Sequence, residues 1–95
     1  MLFTIHALDK PGMLATRLTA YDAHRAYLNS TGGGAVTIVM SGPLVEDDGV
    51  TAKGSFFLVE AQDRAAAEAF NRADPFYAAG IWESVRIVAF LRKRG

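Results

Sequence analysis

Residues 53–61 read Lys-Gly-Ser-Phe-Phe-Leu-Val-Glu-Ala, KGSFFLVEA, and form a strand pattern. Side chains alternate across a strand, so Phe56 and Leu58 point one way and Phe57 and Val59 the other. Both faces are therefore apolar, which is the mark of a strand covered on both sides. The question for the rest of the chain is what covers each face.

Working back from this strand, Glu46-Asp47-Asp48-Gly49 reads as a hairpin tip. Exposed charges at such a tip typically matter by less than about 0.5 kcal/mol, so removing these three carboxylates is expected to leave stability almost unchanged. Before the tip, Ala35–Met40 is a strand that Ser41-Gly42-Pro43 interrupts. At the start of the chain, Leu2–Leu8 alternates Phe3, Ile5 and Ala7 with Thr4 and His6, a strand period. Asp9-Lys10-Pro11-Gly12 is turn chemistry. Met13–Asn29 reads as a helix, and Thr31-Gly32-Gly33-Gly34 ends it. Beyond residue 61, Asp63 caps a helix over Arg64–Ala73, a short helical turn follows Asp74, and a last strand runs from about Trp82 to Leu91. Strand, helix, strand, strand, helix, strand is the split βαβ, or ferredoxin-like, order of an α+β fold. Its two helices pack on one face of a four-stranded antiparallel sheet. Nothing in one chain is left to cover the second face of KGSFFLVEA, and a second copy of the chain is the plain solution. The expectation is a homodimer with sheets facing each other.

The totals agree with one domain over residues 1–95. With 51% apolar residues the chain is globular, not disordered. Ten basic and ten acidic residues leave no positive excess to track a phosphate backbone, so nucleic acid is not an expected partner. Arg92-Lys93-Arg94 reads as a solvated chain end. The absence of cysteine removes disulfides, thiolate catalysis and sulfur-type zinc sites, and fits a cytoplasmic setting. The first residues do not read as a signal peptide. No apolar segment approaches the roughly 20 residues that span a bilayer. Serine or cysteine nucleophile constellations, phosphate loops and dinucleotide fingerprints are missing. That argues against hydrolases, kinases and dehydrogenases, and no cofactor is expected.

On a helical wheel, Leu14, Leu18, Tyr21 and Leu28 make the apolar stripe expected of a core-facing helix. Arg17 and His24 are seven residues apart and share one edge of that stripe, with Tyr21 between them. Arg25 also falls near the stripe. Such a rim is either a small polar pocket, in which histidine exchanges protons near neutral pH, or a snorkelling arginine beside a histidine bonded to a backbone carbonyl. Asp74 has two readings as well. Asp-Pro at a helix start is ordinary capping, yet a carboxylate has acceptor sites enough to cap and also hold an imidazole.

Four pieces of the chain, in order, resemble the YCII-related (YciI-like) family. They are the opening strand with LDKPG, then RLTAYDAHRAYL, then SGPLVEDDG with KGSFFLVEA, and finally ADPFYAAGIWESVRIVAF. The resemblance implies a ferredoxin-like domain that dimerises into an α+β barrel, with a histidine–aspartate pair in a cleft. The matching positions are His24 and Asp74 for the pair, Arg17 for the arginine that opens the helix motif, and Ser41, Gly42 and Pro43 for the Ser-Gly-Pro turn. A relative in chlorinated-aromatic breakdown is taken to eliminate chloride from a hydroxylated ring. The similar fold of muconolactone isomerases adds proton transfer by fold-level analogy alone.

Two kinds of function follow. In an enzyme, His24 would be the general acid or base, Asp74 would orient it, and Arg17 would attract an anionic group of a small aromatic or enol-forming metabolite. In a binding or accessory dimer module, the same pocket would hold a ligand or serve architecture without chemistry. His6 shares a strand face with Thr4 and Leu8, away from Phe3 and Ile5, which turns it toward the dimer partner. Its distance from His24 and Asp74 in the pattern matches no ligand motif, so no metal site is expected.

Overall fold

The computed structural model describes residues 1–30 and 34–95. Strand β1 spans Leu2–Asp9, helix α1 Leu14–Ser30, strand β2 Val36–Val45, strand β3 Ala52–Ala61, helix α2 Arg64–Arg72, helix α3 Pro75–Ala78 and strand β4 Trp82–Phe90. This is the expected βαββαβ order, with α3 as the short turn after Asp74. The strands make one antiparallel sheet in the order β2-β3-β1-β4. The expected glycine stop after α1 falls largely on residues 31–33, outside the described residues.

The strand before the hairpin does not break at residues 41–43: β2 continues through Ser41, Gly42 and Pro43 to Val45. Pro43 is accommodated because β2 is an edge strand, where a proline need not donate to a neighbour. The register shifts between Ile38 and Met40, as an extra residue in one strand requires. After the shift, Ser41 pairs with Phe57 and Pro43 with Ser55, on the side of the sheet that faces the helices.

That helix side holds the core. Ile5 pairs with Phe57 on one side and Ile87 on the other, and Phe3, Ala7, Val59 and Ala61 extend the layer. Helix α2 covers it with Ala67 and Phe70, and Phe76, Ile81 and Trp82 close the end. Asp63 caps α2 by accepting from Ala66 N–H at 2.9 Å. Gly80, at φ 69°, takes the left-handed conformation that ends α3. Lys10 N–H then bonds the Ile81 carbonyl, which ties the end of β1 to the start of β4. On the opposite side of the sheet, Leu8, Met40, Val88 and Phe90 are exposed beside the half-buried Phe56.

Helix α1 corrects the wheel reading. Its buried residues are Arg17 and His24, while Leu14, Leu18 and Tyr21 are exposed, Leu18 to 69%. Met13, Ala20 and Tyr27 are the α1-side residues that pack on the core, together with Leu28. At 3.6 residues per turn the centre of the leucine stripe lies about 100° round the helix from the centre of the face that meets the core. The stripe is real but is not the core-facing side.

The hairpin tip differs too. Asp48 Oδ1 accepts from Val50 N–H and Thr51 N–H, both at 2.9 Å, and Oδ2 accepts from the Thr51 hydroxyl. The hydroxyl bond first, then the two backbone bonds, lower its carboxyl pKa from 3.8 to about 2. A lowered folded-state pKa adds stability that is present above the ordinary carboxylate range and is lost as pH falls through the folded value. The melting-temperature gap between the parent and Asp48→Ala should therefore be open at neutral pH and close between about pH 4 and 2. A pH-independent gap would show that the turn does not depend on the ionised carboxylate.

At Gly54 the strands leave no room for a side chain. A Cβ there would lie 2.4 Å from the Ala7 carbonyl oxygen and 3.0 Å from Leu44 Cδ1, and backbone does not yield as a side-chain tip does. Gly54→Ala should lower stability by about 1–3 kcal/mol, read as a lower midpoint in urea unfolding. An unchanged midpoint would mean that β1 and β3 have room to separate.

Candidate active site

The site starts from Asp74-Pro75. Proline fixes the first helical position of α3, and extended backbone at Asp74 makes it the N-cap. Its Oδ1 accepts from Phe76 N–H at 2.9 Å. The same oxygen lies 2.8 Å from Nδ1 of His24. A carboxylate oxygen only accepts, so Nδ1 carries the proton and a neutral ring keeps Nε2 as its acceptor. The pair is enclosed: the Asp74 side chain is 1% exposed and that of His24 10%. The two readings of Asp74 are thus compatible in a single oxygen, which caps a helix and holds an imidazole together.

Aromatic rings fix the imidazole plane. Phe76 stacks on it with centroids 3.9 Å apart and planes 1° from parallel, and Phe57 meets it edge-on at 6.2 Å. Tyr27 donates its hydroxyl to the Phe70 carbonyl at 2.8 Å. Burial first, and then the negative charge of Asp74, push the Tyr27 phenol above its usual range.

Arg17, two turns before His24, is held from the sheet. Nε and Nη2 donate to the two oxygens of Asp9 at 2.8 and 3.0 Å, and Nη2 also donates to Ser55 Oγ at 2.8 Å. The guanidinium carbon sits 4.7 Å from the Phe76 ring centre. One ring thus touches both the arginine and the histidine. Asp9 and Ser55 are the site residues that sequence reasoning did not single out. Asp9 read as a turn residue and Ser55 as one more position in a strand. Their meeting with Arg17 needs the end of β1, the first turn of α1 and the middle of β3 to be brought together, and no local spacing encodes that.

Between α1 and the β2–β3 hairpin lies a cavity of about 430 Å³, within the range of small-molecule sites. Arg17, Tyr21, His24, Ser41, Gly42 and Pro43 all line it, and so do Ser55 and Phe57. Asp74 does not; it stands behind the imidazole. The displaced leucine stripe of α1, Leu14, Leu18 and Leu28, forms the helix side of the apolar wall, with Val50, Ala52 and Phe57 on the sheet side. With Nδ1 engaged, Nε2 is the imidazole nitrogen left to meet a ligand. His6 is elsewhere. It pairs with Phe56 and Arg86 across the sheet and borders a separate depression with Thr4, Leu8 and Val88. Among the described residues no group of three or more histidines and carboxylates is placed to hold a metal ion, and no helix is long and apolar enough to cross a membrane.

Comparison with known proteins adds the following. Residues 1–91 match the family model of the YCII-related domain. Protein YciI of Escherichia coli is 34% identical over 95 residues, 95% of this chain and 96% of that protein. Among solved structures, the 5-chloro-2-hydroxyhydroquinone dehydrochlorinase TftG of Burkholderia phenoliruptrix, in complex with 2,5-dihydroxybenzoquinone, aligns with a TM-score of 0.86 at 32% identity, over 98% of this chain and 96% of that one. A NIPSNAP domain protein from Burkholderia xenovorans aligns with a TM-score of 0.52 at 16% identity, over 98% of this chain and 95% of that one, and shares the fold alone. The match over residues 1–91, together with the relative that is alike along almost its entire length, establishes that this chain belongs to the YCII-related family.

Proposed function

We propose that this protein is a small enzyme that moves a proton on a single-ring hydroxylated or enol-forming metabolite, with His24 as acid–base and Asp74 positioning it. The observation that carries this reading is the 2.8 Å contact of Asp74 Oδ1 with His24 Nδ1 behind a cavity that the imidazole lines. Proton uptake at Nε2 makes an imidazolium beside a carboxylate that is already in place, so the charge that develops is met without rearrangement. The stacked Phe76 keeps the ring from turning as it exchanges the proton. Arg17, Tyr21, Ser41, Gly42 and Pro43 hold the substrate, and Arg17 does so as a donor whose charge Asp9 balances.

The likeness to a dehydrochlorinase at 32% identity supports elimination as the specific step. In loss of hydrogen chloride from a chlorinated polyhydroxybenzene, His24 would take a proton from a ring hydroxyl. The O–H electron pair becomes a carbonyl bond, and the ring carbon that bears chlorine takes up a proton, which His24 as the imidazolium can return. A second ring hydroxyl conjugated with that carbon then loses its proton, its O–H pair becomes the second carbonyl bond, the ring double bond shifts to that carbon, and chloride leaves with the C–Cl pair. The ring rises from quinol to quinone level, the C–Cl bond is the electron acceptor, and no external oxidant enters the balance.

The test is chloride release from 5-chloro-2-hydroxyhydroquinone, followed with an ion-selective electrode. His24→Gln should lose about 10²–10⁴-fold in kcat. Asp74→Asn should lose a smaller part, because asparagine still caps Phe76 but brings no charge to the imidazolium. Parent and His24→Gln releasing chloride equally would remove histidine from the chemistry. A parent that binds the ring tightly without turning it over would be a ligand-binding module instead.

We also propose that the open face of the sheet pairs with a second copy. Leu8, Met40, Phe56, Val88 and Phe90 lie together there, and a monomer would leave this apolar layer in water. Sedimentation at micromolar concentration should give the mass of a dimer. A stable monomer would sink the pairing.

A further inference from the structure

We propose that Arg25 selects the ligand by charge, so that the cavity takes an anion: a single-ring carboxylate or an acidic enolate whose negative group meets the Arg25 guanidinium. The inference rests on the reading that this cavity holds a small ligand, and it extends to what that ligand must carry. Three groups in the cavity wall bear positive charge or can acquire it: Arg17, His24 and Arg25. Two of them already have carboxylate partners, Asp9 for Arg17 and Asp74 for His24. Arg25 makes no ion pair among the described residues. No carboxylate lines the cavity, so a ligand anion there has no fixed negative neighbour in the wall to repel it.

The position of Arg25 follows from the turned helix. At 3.6 residues per turn it falls about 40° from Tyr21 and about 20° from Leu14 and from Leu18, on the outer part of the face that α1 presents to the cavity, away from the core. Its guanidinium carbon lies 5.9 Å from the centre of the Tyr21 ring, a cation–π contact to the residue one turn back. That contact keeps the cation beside the cavity. Arginine offers a planar fork of donors that fits a carboxylate or a vicinal pair of oxygens. Arg17 has the same fork but spends Nε and Nη2 on Asp9 and Ser55. The charge that a ligand meets is therefore that of Arg25.

The experiment measures binding, not turnover, so its outcome is separate from that of the chemistry. Two anions, 2,5-dihydroxybenzoquinone and 2,5-dihydroxybenzoate, and the uncharged 2,5-dimethoxybenzoquinone are titrated calorimetrically into the parent, Arg25→Gln and Arg25→Lys. The dihydroxyquinone is a vinylogous acid and is ionised at neutral pH. The parent should bind at least one anion more tightly than the ether, and added salt should weaken that binding. Arg25→Gln should lose about tenfold or more for the anion, keep its affinity for the ether, and lose the salt dependence. Arg25→Lys should regain part of the loss, because it restores charge without the fork. An Arg25→Gln variant that binds the anion as the parent does would overturn the proposal. So would a parent that binds ether and anion alike, or one that binds neither anion. If His24→Gln abolishes turnover and Arg25→Gln leaves anion affinity intact, the chemistry stands and the selection by Arg25 fails. If turnover is absent and the charge preference holds, the reverse is true.

Discussion

Helix α1 lies where its charged side chains put it. Arg17 reaches Asp9 and Ser55 near its first turns, and His24 reaches Asp74 about 10 Å further along the axis. These contacts tie the helix to β1, β3 and α3. A rotation of about 100° would bury the leucine stripe instead. It would also take Arg17 from Asp9 and Ser55 and leave Asp74 with the Phe76 N–H but no cation, and breaking a buried ion pair costs about 3–5 kcal/mol. The pairs need not make the folded state more stable than an apolar interface would. What they do is make the other orientation of α1 more expensive. The cavity follows from this, because Leu14 and Leu18 then stand beside the β2–β3 hairpin instead of against the core.

The strands and their order were legible because they depend on period-two alternation and turn residues, both local properties. The two apolar faces of KGSFFLVEA are present as read: Phe57 and Val59 are core, and Phe56 lies on the open side. Helix α1 was misread for a reason that the wheel contains. Counting apolar positions finds the greasiest face, and that is the core face only when no buried carboxylate awaits the polar residues beside it. Here Asp9 and Asp74 do, 8 and 50 residues away. The break expected at Ser41-Gly42-Pro43 failed because the sequence does not say that β2 is an edge strand, where Pro43 is harmless. Asp74 was legible as a cap from Asp-Pro alone, and its second role came from the family resemblance. No local rule distinguishes an N-cap that faces solvent from one that faces an imidazole.

The segment Asp74-Pro75-Phe76 does more than position one carboxylate. Asp74 Oδ1 holds both the His24 ring and the Phe76 N–H. The Phe76 side chain in turn stacks on His24 and lies against Arg17. The imidazole is therefore gripped at its nitrogen and across its face by neighbouring residues of one short helix. Both restraints come from α3, while the imidazole is carried by α1. Rigid support of this kind suits a proton-transfer group, whose efficiency depends on a fixed approach to the bond it breaks.

The same arrangement divides the work of charge between the two arginines of α1. Arg17 sits on the inner side with a carboxylate matched to its fork, so its charge is consumed in holding the helix and the site wall. Arg25, eight residues on and about 80° round the helix, has the leucine face around it and no carboxylate opposite. The residue type is identical and the helix is the same; the difference is set by which strand end happens to carry an aspartate. A wheel that places both near one stripe cannot separate them, and the position of Asp9 at the end of β1 does.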